Sequence, residues 1–113
     1  MIDQKYLDAY CDAIREAEER FRAARGWDNL KPSMISIDRG RRFARIVMDN
    51  GTQRHVHAFV DLTNGDVIKS GGWKAPQKSR DGVLAVRYNL VDDASREECF
   101  AKIDPHGGYL YDR

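Results

Sequence analysis

The chain has 113 residues, of which 42% are apolar, so it is long enough for one domain with a hydrophobic core and too short for two. No stretch approaches the roughly 18 to 20 consecutive apolar residues of a membrane span, and the first residues lack the segments of a signal peptide. We therefore expect a single cytoplasmic domain over residues 1–113 that does not interact with a membrane. The formal net charge is only +1, but the charges are unevenly distributed.

The first part of the chain predicts an amphipathic helix over residues 3–25. Apolar side chains recur in steps of three and four, with charged residues between them. Asp3 is placed to cap the start of this helix, while Arg22, Arg25 and Gly26 suit its end.

Alternating patterns after this helix predict an antiparallel meander. The predicted strands are 33–38, 42–49, 53–61 and 66–69, with 83–91 as a candidate fifth. Asn-Gly pairs at 50–51 and 64–65 are hairpin signals. Ser95 and Glu98 have the spacing of a capping box, which predicts a short helix through Ile103. A helix that precedes such a sheet must cover one face of it, so the predicted fold class is α+β, with the N-terminal helix packed on four to five strands.

Two stretches in the middle of the chain are strongly basic. Residues 39–54 hold five arginines against one aspartate, and residues 67–90 hold five basic residues against one aspartate. By contrast, residues 91–113 hold six acidic residues against three basic ones. If the two basic stretches share a face of the fold, they form an anion-binding site.

Recognisable catalytic and metal-binding motifs are missing from the sequence. His55 and His57 would point to one face of a strand, a spacing that some zinc sites use, but a third ligand is missing nearby. We therefore interpret them as partly exposed side chains on a polar face. Cys11 and Cys99 lack zinc or redox spacing and are interpreted as ordinary half-buried thiols. Because nucleophile motifs and phosphate-binding glycine motifs are also missing, we expect a protein without enzymatic activity, cofactor or metal.

The segment GDVIKSGGWKAPQK, residues 65–78, favours ligand binding. Its glycines permit unusual backbone conformations and Pro76 stiffens its exit, so Trp73 offers a flat face beside Lys74 and Lys78. Such a face stacks on a base for roughly 1 to 3 kcal/mol, while nearby cations neutralise phosphate. The alternative is that Trp73 fills an edge of the core and the lysines are merely solvated.

The segment HAFVDLTNGDVIKSGGWKAPQK, with the later RYN and the closing YLYDR, resembles a group of short bacteriophage proteins. Their recurrent core has a phenylalanine-containing strand, a GD-x-x-K turn, a W-K-x-P-x-K loop, an R-G-N element and an aromatic-Leu-x-Arg end. The resemblance covers residues 42–89 and the last five. The group is similar to the first-described Thoeris anti-defence family, the phage sponge proteins. That family binds cyclic ADP-ribose-type signals, and in some members cyclic oligonucleotides, without cleaving them.

The resemblance implies a phage protein that sequesters a cyclic nucleotide immune signal in the cytoplasm of an infected bacterium. It implies base stacking on Trp73, and it implies ligand contacts from the R-G-N element, from the C-terminal arginine and from an arginine of the sheet. With Lys74 of the loop, the candidate ligand-binding residues are Arg45, Arg54, Trp73, Lys74, Arg87, Asn89 and Arg113. The sequence departs from the family where Tyr88 replaces the glycine of R-G-N and where extra residues follow the tryptophan loop, and these differences alter the pocket.

A small phage nucleic-acid-binding accessory protein is the alternative, because the same basic and aromatic side chains could follow a phosphate backbone. Salt distinguishes the two, since backbone binding weakens steeply with ionic strength. A purely structural or interaction protein would bind neither ligand. We also expect a homo-oligomer, a dimer or higher, because Tyr6, Tyr10 and Phe21 give the helix more apolar face than a thin sheet covers.

Overall fold

The computed structural model describes residues 1–26 and 32–111. Its elements are α1 (Gln4–Ala24), β1 (Met34–Arg39), β2 (Phe43–Asp49), β3 (Arg54–Asp61), β4 (Asp66–Ile68), β5 (Val86–Asn89), α2 (Asp93–Lys102) and a 3-10 turn (Gly108–Leu110). The strands form one antiparallel sheet in the order β1-β2-β3-β4-β5. The predicted α+β class, with a helix on an antiparallel meander, is confirmed. Within the described ranges, no helix is long and apolar enough to cross a membrane.

Helix α1 covers one face of the sheet. Its apolar stripe includes Leu7, Tyr10 and Ile14, all fully buried. These side chains belong to one core cluster with residues such as Ile46 of β2 and Val60 of β3. Burying a large apolar side chain contributes about 1.5 to 3 kcal/mol, so this stripe is the main reason that the helix stays on the sheet.

Both ends of α1 are set by local chemistry. The Asp3 carboxylate accepts a hydrogen bond from the Lys5 amide at 3.0 Å, which caps the helix as predicted. At the other end Gly26 has a φ of 70°, a conformation that glycine adopts without strain. The observed helix therefore starts and stops within one residue of the predicted bounds.

The two predicted Asn-Gly turns form the β2–β3 and β3–β4 connections. In the first turn, Asn50 Oδ1 accepts a hydrogen bond from the Gln53 amide at 2.8 Å, and Gly51 has a φ of 95°. In the second turn, Gly65 has a φ of 88°, and a Cβ there would lie 2.7 Å from the Val91 side chain. Gly65 is thus required both for its conformation and for its small size.

The predicted capping box at Ser95 and Glu98 is wrong. Helix α2 begins earlier, at Asp93, and its cap is Asp92, whose carboxylate accepts a hydrogen bond from the Ser95 amide at 2.8 Å. An aspartate is favoured there because its side-chain oxygen accepts a hydrogen bond from a backbone amide that has no partner within the helix. The Ser95 hydroxyl instead accepts a hydrogen bond from the backbone amide of Asn89 at 2.7 Å and so joins α2 to β5.

The two histidines of β3 have different environments, contrary to the expectation that both are partly exposed. His55 is exposed, whereas His57 is only 5% exposed. The pairing of β2 with β3 shifts between Ile46 and Val47, which leaves His57 as an extra residue in a β-bulge. A bulge changes the direction of side chains, and this one turns His57 into the core. Cys11 and Cys99 are also buried, and not half-buried as expected.

The face of the sheet opposite α1 carries a smaller apolar cluster. By the alternation of the strands it includes Val47, Phe59 and Ile68, all buried. The segment 69–85 between β4 and β5, here called the Trp loop, lies against this face, and its Pro76 is buried. The Trp loop therefore covers the face of the sheet that α1 leaves uncovered.

Candidate functional site

Trp73 lies at the surface of the Trp loop, above β2 and β3. The residue is 39% exposed, so the indole is not enclosed in the core. The guanidinium carbons of Arg45 and Arg54 each lie 5.2 Å from the centroid of the indole ring. This distance is within the range of a cation–π interaction. The structure therefore brings together three of the predicted ligand-binding residues.

Each of these two arginines also faces a carboxylate on the neighbouring strand. Arg45 lies 3.6 Å from Asp38 of β1, and Arg54 lies 3.8 Å from Asp49 of β2. Both pairs are directly opposite in the sheet register. Partly exposed pairs at such distances contribute about 0 to 1 kcal/mol, so they orient the guanidiniums more than they stabilise the fold.

The backbone beside Trp73 is held by hydrogen bonds within the loop. The Ser70 hydroxyl accepts a hydrogen bond from the Gly72 amide at 3.2 Å and donates to the Gly72 carbonyl at 2.9 Å. Gly72 has a φ of 148°, and a Cβ on Gly71 would lie 2.9 Å from Gln77 Cα. Residues 71–78 surround an open hollow of about 460 Å³. The glycines allow this tight path of the backbone beside Trp73.

A basic cleft adjoins Trp73 on the side of the β1–β2 turn. It has a volume of about 210 Å³, and we call it the arginine cleft. Its lining residues are Asp38, Arg39, Gly40, Arg41, Arg42, Phe43, Arg45, Phe59 and Lys74. Five of these residues are basic and one is acidic. Because Arg45 also contacts the indole and Lys74 follows Trp73 in the chain, the cleft and the ring form one continuous surface.

One arginine of the cleft is fixed by a buried carboxylate. Arg42 donates from Nε and Nη2 to the same oxygen of Asp61, at 3.2 and 3.1 Å. Asp61 is 1% exposed and also accepts hydrogen bonds from the Thr63 amide at 2.9 Å and hydroxyl at 2.6 Å. Burial opposes ionisation, but the hydrogen bonds from Thr63 and Arg42 outweigh it and hold the pKa of Asp61 below its ordinary value. Asp61 is therefore charged at neutral pH and neutralises Arg42.

The other cations of the cleft are less fully compensated. Within residues 1–26 and 32–111, no carboxylate pairs with Arg39, Arg41 or Lys74. Arg39 contacts the neutral amide oxygen of Gln4. Because Gln4 lies on α1, the Arg39 guanidinium is directed towards that helix, so Arg41 and Lys74 give the cleft its surplus of positive charge after Arg42 and Arg45 are paired.

The structure does not bring Arg87 and Asn89 to this cluster. Both lie on β5, which is three strand positions from β2 in the sheet, a separation of about 14 Å at the usual spacing. Arg87 donates from Nε to the Leu110 carbonyl at 2.7 Å and so anchors the C-terminal turn. Arg113 lies outside the described residues.

The amide of Asn89 is engaged in the fold. Its Nδ2 donates to the Asn64 carbonyl at 3.0 Å and to the Asp66 carboxylate at 2.8 Å. Its Oδ1 accepts from the amides of Val91 at 2.8 Å and Asp92 at 2.9 Å. A side-chain amide has two donors and two acceptor sites, so all of its capacity is used within the chain.

Sequence reasoning missed part of the cluster. Arg39, Arg41 and Arg42 were counted as basic charge but were not assigned to the site, and Phe43 and Phe59 were not considered. The available signal is the segment DRGRRF, in which three arginines surround a glycine at a strand connection. A hairpin turn projects such side chains from one end of the sheet.

The chemistry of this surface favours binding. The lining of the arginine cleft contains cations, two phenylalanines and one ion-paired aspartate, with no histidine, cysteine, serine or glutamate. In the described part of the chain, no group of histidine, cysteine and acidic side chains is arranged to hold a metal ion. The residues present can hold an anion beside an aromatic ring.

A buried polar chain lies on the other side of the sheet. His57 Nε2 is 2.7 Å from the Tyr109 hydroxyl, which is 2.6 Å from the Tyr10 hydroxyl. His57 Nδ1 is buried with no partner at hydrogen-bond geometry among the described residues. Burial, followed by the nearby His55, lowers the pKa of His57 to about 4. The imidazole is therefore neutral at physiological pH and serves the core, not the arginine cleft.

Comparison with known proteins gives a family but no activity. The chain belongs to DUF7717, a family of unknown function, which it matches over residues 3–112. No curated protein and no solved structure matches the chain. The match spans α1, the sheet, the Trp loop and α2, so the arginine cleft and Trp73 lie within the matched range.

Proposed function

We propose that this member of the DUF7717 family binds a phosphate-bearing nucleotide on the surface around Trp73 and sequesters it without cleaving it. The observation that carries the proposal is the partly exposed indole, with Arg45 and Arg54 each 5.2 Å from its centroid. A base stacked on an aromatic side chain gains roughly 1 to 3 kcal/mol. Guanidiniums beside the ring add charge-assisted hydrogen bonds to phosphate.

The ligand that we favour is a cyclic nucleotide immune signal, of the cyclic ADP-ribose type or a cyclic oligonucleotide. The resemblance of the Trp loop to the phage sponge proteins supports this choice, and it supports action in the cytoplasm of an infected bacterium. Sequestration needs no catalytic group, because a protein that binds the signal lowers its free concentration by mass action. The composition of the arginine cleft agrees with such a role.

The proposal is tested by Trp73→Ala in a calorimetric titration with cyclic ADP-ribose. We expect the affinity to fall by roughly 5- to 150-fold, which corresponds to the loss of one stacked base. The melting temperature should hardly change, because the indole is already 39% exposed. Tyr111→Ala is a matched control, since Tyr111 is 61% exposed and also lies under a cation, with Lys69 Nζ 4.0 Å from its ring centroid.

Two outcomes would count against the proposal. The first is that Trp73→Ala loses about 3 to 5 kcal/mol of unfolding free energy and weakens binding only because the protein unfolds, which would make the indole a structural residue. If the folded variant binds as tightly as the parent, the Trp loop is not part of the site.

A nucleic-acid-binding accessory role is the second candidate. It is favoured by the exposed basic side chains Lys78 and Arg80, which extend the positive surface along the Trp loop. Binding of a single-stranded oligonucleotide would weaken steeply with salt, with a slope set by the number of phosphates neutralised. A titration at two ionic strengths distinguishes this candidate from capture of one small ligand.

A further inference from the structure

We infer that the arginine cleft is a separate subsite for a phosphate group of the ligand, distinct from the face of Trp73. The inference rests on the proposed function for the placement of the base on Trp73, but the cleft is argued from its own residues. It names the ligand class as a nucleotide whose phosphate binds in the cleft, in preference to a nucleoside.

The first argument is the concentration of positive charge. Arg39, Arg41 and Arg42 lie around one hairpin turn, and Lys74 approaches the same cleft from the Trp loop. Like charges held together in this way oppose folding unless an anion offsets them. Asp61 offsets Arg42, whereas Arg39, Arg41 and Lys74 lack a carboxylate partner within the described residues.

The second argument is that backbone hydrogen bonds fix the conformation of the β1–β2 turn. The Gly40 amide donates to the Phe43 carbonyl at 2.8 Å, and the Leu62 amide donates to the Arg42 carbonyl at 2.7 Å. A Cβ on Gly40 would lie 3.0 Å from the Phe43 carbonyl oxygen, so the turn closes tightly at the glycine. The arginines therefore project from a backbone that is already positioned for a ligand.

The third argument is the apolar floor of the cleft. Phe43 and Phe59 meet edge to face, with ring centroids 6.4 Å apart, and Phe59 is 2% exposed. A floor of low polarity keeps water from one side of a bound anion. Electrostatic attraction between that anion and the surrounding cations is stronger in such a setting than in open water.

The size of the cleft indicates how much of a ligand it accepts. Its volume of about 210 Å³ is below the roughly 300 to 1,000 Å³ of pockets that enclose a whole drug-sized molecule. It therefore accepts a charged group, while the rest of the ligand extends along Arg45 to Trp73. A phosphate monoester carries a charge of about −1.5 to −2, which matches the two cations that give the cleft its surplus of positive charge, Arg41 on the hairpin turn and Lys74 on the Trp loop.

The test measures binding of three probes by calorimetry at fixed ionic strength. The probes are adenosine, ADP and inorganic pyrophosphate, and the variant is the double substitution Arg41→Gln with Lys74→Gln. Both side chains are exposed, so the variant should melt as the parent does. Arg20→Gln is the control, because Arg20 is exposed on α1 on the opposite side of the sheet.

We expect the double variant to weaken ADP and pyrophosphate by at least roughly tenfold, in line with the loss of hydrogen bonds to a charged group. Adenosine binding should stay as in the parent, and Arg20→Gln should change none of the three. Trp73→Ala should show the converse pattern, with weaker adenosine and ADP binding but unchanged pyrophosphate binding.

The failures of the two proposals are distinguishable. One outcome is that pyrophosphate binds the parent but not the double variant, while adenosine and ADP bind Trp73→Ala as tightly as the parent. In that case the subsite stands and the nucleotide function is overturned. If ADP depends on Trp73 but binds the double variant as tightly as the parent, the nucleotide function stands and the subsite is overturned. If pyrophosphate does not bind the parent, the subsite is likewise overturned.

Discussion

Arg45 links the interior of the sheet to its outer surface. On β2 it lies between Ala44 and Ile46, which are fully buried against the α1 side. Because successive side chains of a strand point to opposite faces, the same strand that fills the core presents a guanidinium to the Trp loop. A substitution at Arg45 would therefore affect the indole and the arginine cleft together, while leaving the main core in place.

The charge state of His57 depends on the fold. Its pKa falls to about 4 because burial disfavours the imidazolium, with His55 acting in the same direction and Asp104 against it. In the unfolded chain a histidine titrates near pH 6.5, so between these values the unfolded state binds more protons than the folded state. The free energy of unfolding must therefore fall as the pH decreases through this window.

We predict a loss of up to about 3 kcal/mol of unfolding free energy between pH 6.5 and pH 4 from His57. Urea denaturation at several pH values measures it. The variant His57→Gln keeps a polar partner for Tyr109 and does not titrate, so its stability should depend less on pH. Asp61 does not add to the pH dependence in this window. Because its pKa is lowered, the stability that its carboxylate contributes is lost only at still lower pH. Equal pH dependence in parent and variant would contradict the assignment.

At the scale of elements, local sequence predicted the fold well and the site only in part. Helix α1 and the Asn-Gly turns follow from periodicity and turn chemistry, which act within a few residues. The contact of Trp73 with Arg45 joins residues far apart in the chain, and no local pattern encodes it. The bulge that buries His57 is also a product of strand pairing. Sheet order, in turn, is the reason that Asn89 lies away from the indole.

Asn89 therefore belongs to the scaffold in this structure, where it joins the turn before β4 to the start of α2. We predict that Asn89→Ala costs roughly 1 to 3 kcal/mol of unfolding free energy, because several hydrogen bonds are lost and their partners are left at partly buried positions. Chemical denaturation measures the change. A stable Asn89→Ala protein with selectively weakened nucleotide binding would instead support the contact that the phage resemblance implies.

At the scale of the whole molecule, the sheet separates a structural side from the side that we propose binds the ligand. The buried core and α1 occupy one face, whereas the Trp loop and the arginine cleft occupy the other. This division lets the binding surface concentrate positive charge without placing it in the core. It also explains why a molecule with a net charge of only +1 can present a strongly basic patch.

The assembly of the molecule remains a prediction. Tyr10 is fully buried in its own chain, and Phe21 meets His106 edge to face at 4.7 Å, so the fold uses more of the helix stripe than the sequence suggested. Tyr6 remains half-buried in a groove of about 430 Å³ between α1 and α2, which offers a surface for a second copy. We predict a dimer or higher, and light scattering that shows only a 13.0 kDa species at micromolar concentration would contradict it.

The central claim is that this protein holds an intact nucleotide on the surface formed by Trp73 and the arginine cleft. The most direct measurement incubates the purified protein with a panel of cyclic nucleotides, removes unbound ligand, and heats the protein to release what it holds for mass spectrometry. We predict that one cyclic nucleotide is recovered uncleaved from the parent and is strongly reduced in Trp73→Ala. Recovery of no nucleotide, or of a hydrolysed product, would contradict the account.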